Sequence, residues 1–80
     1  MNGFNELKTI LIQELKVAPE MVRPDATLED VEFDSLTLVE LTVILERDLG
    51  VDIEDHELRD QATLADMGRL VEDRVAQGAA

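Results

Sequence analysis

An all-α four-helix bundle with a long loop between its first two helices is the fold this sequence predicts. Three observations carry it. Apolar residues recur at helical spacing in separate stretches. Prolines and turn formers gather in one internal segment, residues 17–34. Helix start and stop residues stand where those patterns begin and end.

The first helix runs from about Phe4 to Lys16, where Phe4, Leu7, Leu11 and Leu15 share a face with Ile10 beside them. Pro19 limits its extension. Residues 17–34 then hold Pro19, Pro24 and Asp25 and read as a loop. Ordered loops of this length are uncommon in small domains and are often functional. Met21, Val22, Leu28 and Val31 are expected to anchor it to the core.

The second helix starts at Asp34 or Ser35 and ends at Leu49. The Asp34 carboxylate suits an N-cap, and Gly50 suits the left-handed position after the last turn. A short third helix is expected near Glu54–Arg59. Thr63 with Asp66 forms a variant capping box opening the fourth, with Leu64, Met67, Gly68, Val71 and Val75 on one face. Gly68 lets another helix approach closely, at a cost in helix propensity.

The second helix carries more apolar surface than a core requires. At about 100° per residue, Leu38, Leu41, Leu45 and Leu49 form one stripe. Leu36, Val39 and Val43 form another on nearly the opposite side. A helix on a small core needs one such stripe. The longer leucine stripe is assigned to the core. The second then faces solvent, rimmed by charged residues, as a docking surface would. If the helix were central, both stripes would be buried. Ile44 lies between them and could join either.

Eighty residues make one domain, 1–80, the natural expectation. It buries roughly 60% of its surface and leaves little room for a deep catalytic cleft. Phe4 and Phe33 are the only aromatic residues, so the core is aliphatic. The absence of cysteine excludes disulfides and thiolate-ligated metals. Neither a signal peptide nor a membrane-length apolar run is legible, and a cytoplasmic location is the expectation.

The net charge is −12, which argues against nucleic acid as a partner. Residues 25–60 hold thirteen of the nineteen acids, opposed there only by Arg47 and Arg59. That concentration favours a localised acidic face for a basic partner over charge spread merely for solubility.

Other chemistry falls short. His56-Glu57-Leu58-Arg59-Asp60 begins like a zinc-binding helix, but its fifth residue is Asp and no second histidine exists. No metal site is expected. The acids do not follow a calcium-binding loop. Neither a serine hydrolase constellation nor a glycine-rich phosphate loop is present.

Ser35 is left as the chemical candidate. At a helix start, free N–H groups and the dipole favour a phosphate ester on its hydroxyl. Serine also stands at helix starts for structural reasons alone, and spacing by itself favours that reading. Neighbouring Asp34 would repel a phosphate unless its charge is used elsewhere, by capping or by a metal ion in a modifying enzyme.

Asp34-Ser35-Leu36, followed by Val39, Glu40, Leu41 and later Leu49-Gly50-Val51, closely resembles the attachment motif of acyl carrier proteins. The similarity covers nearly the whole chain. It implies a right-handed four-helix bundle without catalysis of its own. It also implies that Ser35 receives 4′-phosphopantetheine from coenzyme A through a phosphopantetheinyl transferase that recognises Asp34. The arm's thiol then holds acyl groups as thioesters. Leu36, Val39, Glu40, Val43 and Glu46 are implied to dock acyltransferases, ketosynthases and other acyl-processing enzymes. No membrane or nucleic-acid partner is expected, and the carrier is expected to be a monomer.

Some positions depart from the family pattern. Glu32 replaces a usual glycine, so the loop there should avoid a conformation that only glycine tolerates. Thr37 and Arg47 stand where fatty-acid carriers are often acidic. The stretch Asp25-Ala26-Thr27-Leu28-Glu29-Asp30, with Phe33 before Asp34, looks more like discrete polyketide carriers. Carriage of polyketide intermediates is therefore favoured over fatty-acid synthesis. The rival reading is an unmodified acidic interaction domain in which Ser35 only helps to start a helix.

Overall fold

The computed structural model describes residues 2–78. Helices α1 (Gly3–Gln13), α2 (Ser35–Leu49), α3 (Asp55–Arg59) and α4 (Leu64–Gly78) follow in that order, with a single 3-10 turn at Pro19–Met21 inside the long loop. No strand occurs among the described residues, and no helix among them is long and apolar enough to cross a membrane.

α1 starts where the Asn2 side chain accepts a hydrogen bond from the Asn5 N–H. It ends three residues before the expected Lys16. Lys16 itself adopts φ +59°, and the Val17 N–H donates to the Leu11 carbonyl at 2.9 Å. A left-handed residue just past a helix end is normally glycine. The apolar pattern continued through Leu15 and gave no hint of a lysine in that role.

α1 packs on α4 at a glycine crossing. A Cβ on Gly3 would stand 1.9 Å from the Gly68 carbonyl oxygen, and one on Gly68 would stand 2.6 Å from the Phe4 nitrogen. The Gly3 N–H, unsatisfied within its own helix, donates to Glu72 Oε1 at 2.9 Å. Gly68 permits the close approach, as its position in the pattern predicts.

The core is aliphatic. Leu7, Leu11, Leu41, Leu45, Leu58, Leu64, Met67 and Val71 are fully buried. Val51 and Ile53, in the link between α2 and α3, also reach it. Phe4, Leu15, Leu49 and Val75 pack at its margin and are only partly covered. Arg74 of α4 donates to the Asp52 carbonyl at 2.8 Å and pairs with Glu57 of α3, clamping that link and helix onto α4.

The long loop is ordered by packing and by backbone hydrogen bonds. Val22 and Ala26 are buried, and Leu28 and Val31 are half-buried against the core. Met21, expected to be an anchor, is instead 40% exposed. It ends the 3-10 turn, which faces outward, while Val22 takes the inward position. The Pro24 and Ala26 carbonyls accept from the Ala65 and Leu64 N–H groups at 2.9 and 2.8 Å. The loop thereby satisfies donors at the start of α4. Thr63 Oγ1 takes the Asp66 N–H at 3.2 Å. The reciprocal capping box lies on α3, between Glu54 and Glu57.

Glu32 corrects the expectation drawn from its departure from glycine. It adopts φ +59°, the left-handed region disfavoured by roughly 1–2 kcal/mol for a residue with a Cβ. The turn around it is closed by Glu32 N–H to Glu29 carbonyl and Phe33 N–H to Leu28 carbonyl bonds, both 3.0 Å. Those bonds and the packing of Val31 and Phe33 hold a conformation that glycine would adopt without strain.

Candidate functional site

The head of α2 divides two tasks between adjacent residues. Asp34 is the N-cap, with extended backbone at φ −101° and ψ −178°. Its Oδ1 accepts from both the Thr37 N–H and the Thr37 hydroxyl, each at 2.9 Å. The Thr37 N–H, then its hydroxyl, hold the Asp34 carboxyl below its usual pKa range. Asp34 is thus a carboxylate at neutral pH whose charge is engaged by the helix start.

Ser35 follows as the first helical residue and is exposed. Because Asp34 supplies the cap, the serine hydroxyl is not needed for it. It stands at the positive end of the helix dipole, where free backbone N–H groups stabilise an anion. A phosphate ester on this oxygen would meet solvent and no packed side chain, so the site fits a covalently attached phosphoryl group.

Below this head the two stripes separate. Leu38, Leu41 and Leu45 are buried, and Ile44 joins them. Leu49, assigned to the same stripe, is only partly buried because the helix end reaches the edge of the core. On the other side Leu36 is 66% exposed, Val39 44% and Val43 60%. With Met21, these are all the exposed large apolar residues among those described. Both stripes being buried is thereby excluded.

Glu40 and Glu46 flank the outer stripe and are exposed. The two arginines of this part of the chain are engaged elsewhere. Arg47 pairs with Glu14 and Asp48, each at 2.8 Å, and Arg59 pairs with Asp55 at 2.8 Å. Neither glutamate has an ion-pair partner among the described residues. An exposed apolar strip with uncompensated acids beside it is complementary to an apolar patch edged by Lys and Arg.

On its flank α2 borders an open groove of about 360 Å³ between the end of α1 and the long loop. Val17, Met21, Val31, Phe33, Lys16 and Thr37 line most of it.

Glu54, Asp55 and His56 offer ligand atoms within 4.8 Å of one another. Glu54 is committed to capping α3 and Asp55 to Arg59. His56 beside them is exposed, and the three residues stand together at the start of α3.

Sequence reasoning missed Thr37 as the second donor to Asp34, although a hydroxyl three residues after an aspartate is a readable signal. The Glu72 acceptor for Gly3 and the left-handed Lys16 had none.

The profile of the family described as "Phosphopantetheine attachment site" matches residues 5–71. Among curated proteins, the acyl carrier protein of Thermosynechococcus vestitus is 39% identical over 74 residues, covering 91% of each chain. That of Wolinella succinogenes is 36% identical over 70 residues, covering 86% of this chain and 92% of its own. That of Campylobacter hominis is 34% identical over 73 residues, covering 90% and 92%. No solved structure gives a significant match. On a family match spanning most of its length and relatives of this identity, the chain belongs to the acyl carrier proteins, non-catalytic carriers of a covalent 4′-phosphopantetheine group.

Proposed function

We propose that Ser35 is the attachment residue and that the protein carries acyl intermediates for a polyketide-forming system. The observation that carries the attachment is the division of labour at the head of α2. Asp34 caps, through Thr37, and Ser35 is left exposed with its hydroxyl free to be esterified. The group itself supplies a thiol that holds acyl chains as thioesters. The chain's own residues supply attachment, a helix dipole beside the phosphate, and an address for partners.

Asp34 presents a fixed carboxylate next to the serine and is the residue a phosphopantetheinyl transferase reads. Leu36, Val39 and Val43 form the apolar strip that acyltransferases, ketosynthases and other acyl-processing enzymes cover. Glu40 and Glu46 steer their basic faces toward it.

The polyketide assignment is supported by Thr37 and Arg47, which remove negative charge from positions often acidic in fatty-acid carriers. The loop from Asp25 to Asp30 and Phe33 point the same way. It predicts that the malonyl-loaded carrier condenses faster with an acyl-primed polyketide ketosynthase than with a fatty-acid one in side-by-side assays, releasing CO2 and leaving the lengthened chain on the carrier. Equal or reversed rates would overturn it.

Incubation of the unmodified protein with coenzyme A and a broad transferase tests the attachment. Intact mass should rise by one phosphopantetheinyl group, and peptide mapping should place it on Ser35. Ser35→Ala should gain nothing. A gain retained in that variant would move the site elsewhere.

A further inference from the structure

We infer that Thr37 is a positioning residue for the loading of the carrier: its hydroxyl fixes the Asp34 carboxylate in the orientation that the phosphopantetheinyl transferase reads. The inference rests on Asp34 being read and on Ser35 being the attachment residue.

The hydrogen bonds are the first argument. Asp34 Oδ1 accepts from both the Thr37 N–H and the Thr37 hydroxyl, each at 2.9 Å, and Oδ2 takes neither. The N–H bond is sufficient for a cap, because it satisfies a donor that the first turn of a helix leaves free. The hydroxyl bond satisfies no such donor. What it adds is a second tether on the same oxygen. A carboxylate held by one bond can swing about it, and a second converging donor restricts that swing. Oδ2 is thereby held in one place on the residue next to Ser35.

Availability is the second. Asp34 is exposed and has no ion-pair partner among the described residues. Its free oxygen is open to a Lys or Arg of an incoming enzyme. Fixing that oxygen beforehand removes an ordering cost that the complex would otherwise bear.

The third argument decides between charge and orientation. The ordinary value for an aspartate carboxyl, 3.8, already leaves it ionised at neutral pH, so the lowering by Thr37 does not change its charge there. Orientation is what the hydroxyl changes. Thr37 is also half-buried on the wall of the groove, so a test must separate its hydroxyl from its methyl.

Loading kinetics of the unmodified protein with coenzyme A and a broad transferase, read as mass gain mapped to Ser35, make that separation. Thr37→Val keeps the shape and the N–H and loses the hydroxyl. It should remain folded, raise the KM for the carrier about three- to tenfold, the scale of one lost hydrogen bond, and leave kcat unchanged. Thr37→Ala should do the same, and Thr37→Ser, which keeps the hydroxyl, should restore KM. By NMR titration the Asp34 carboxyl should move up in Thr37→Val and stay in place in Thr37→Ser. Thr37→Val added to Asp34→Asn should bring no further loss, because the two act through one carboxylate. An unchanged KM in Thr37→Val and Thr37→Ala, a defect that serine does not restore, or a further loss on top of Asp34→Asn would overturn the positioning role and leave attachment intact. Loading of Asp34→Asn at the unsubstituted rate would show that no carboxylate is read and would overturn it as well. Absence of the mass gain on Ser35 in the unsubstituted protein would overturn attachment and the positioning role together.

Discussion

The two sides of α2 are built from the same kinds of side chain and do opposite things. Leu38, Leu41 and Leu45 are at most 2% exposed, whereas Leu36, Val39 and Val43 are at least 44% exposed. What separates them is angular position on a single helix, and each side would have served as the core stripe of an ordinary surface helix. The inner side has α1, the α2–α3 link, α3 and α4 around it. The outer side has Glu40 and Glu46, with the central arginines held by Glu14, Asp48 and Asp55. Stability resides on one side, and the capacity to be recognised is assigned to the other.

The largest effect should come from emptying the inner side. Leu41→Ala leaves a cavity in a site with no exposure and should cost about 2–5 kcal/mol. Urea melts would measure it. A cost below about 1 kcal/mol would break the contrast between the sides.

Next comes the loop that feeds α2. Leu28 is half-buried, so Leu28→Ala should cost roughly 1–2 kcal/mol, below the range for a fully buried leucine. A change indistinguishable from zero would show that the Ala26 and Pro24 backbone contacts hold the loop without it.

Acid tests a part of the fold remote from the outer strip. Arg74, and then the Glu54 N–H, depress the Glu57 carboxyl from 4.5 to about 2. Its folded pKa lies below its unfolded one. The stabilisation is therefore complete above about pH 4.5 and is lost as pH falls toward 2. Glu57→Gln should lower the melting temperature at neutral pH and flatten its fall through that window. An unchanged acid limb would show that the α3–α4 clamp does not contribute.

The smallest effect on stability should come from Glu40→Lys on the outer side, within about 0.5 kcal/mol for an exposed residue. It should instead slow association with an acyl-processing partner, most strongly at low salt, since about 0.1 M salt screens exposed charges beyond about 10 Å. Stopped-flow association at two ionic strengths would measure it. A salt-independent defect would point to a contact and not to steering.

Much of this arrangement was legible in the residues. The stripes of α2, the Asp34 and Gly50 caps, and the Gly68 approach followed from period and residue type, because those signals are local. What escaped depended on distant partners or on tolerated strain. Lys16 and Glu32 occupy conformations that composition assigns to glycine, so no reading of side chains finds them. Ala26 is too small to stand out, yet its carbonyl satisfies the start of α4. Met21 looked like an anchor beside Val22, and only the geometry of the 3-10 turn decides which of the two faces inward. At the candidate site, Ser35 was visible as a helix-start serine. That Asp34 relieves it of capping required the Thr37 hydrogen bonds.

The most direct test of the two-sided helix is one substitution read two ways. Val39→Ala, loaded with its arm and an acyl group, should melt within a stability change of about 1 kcal/mol of the unsubstituted protein. Its transfer rate to a downstream ketosynthase at limiting carrier concentration should nevertheless fall. Unfolding comparable to Leu41→Ala would mean that the outer stripe belongs to the core, and normal folding with undiminished transfer would mean that no partner covers Val39.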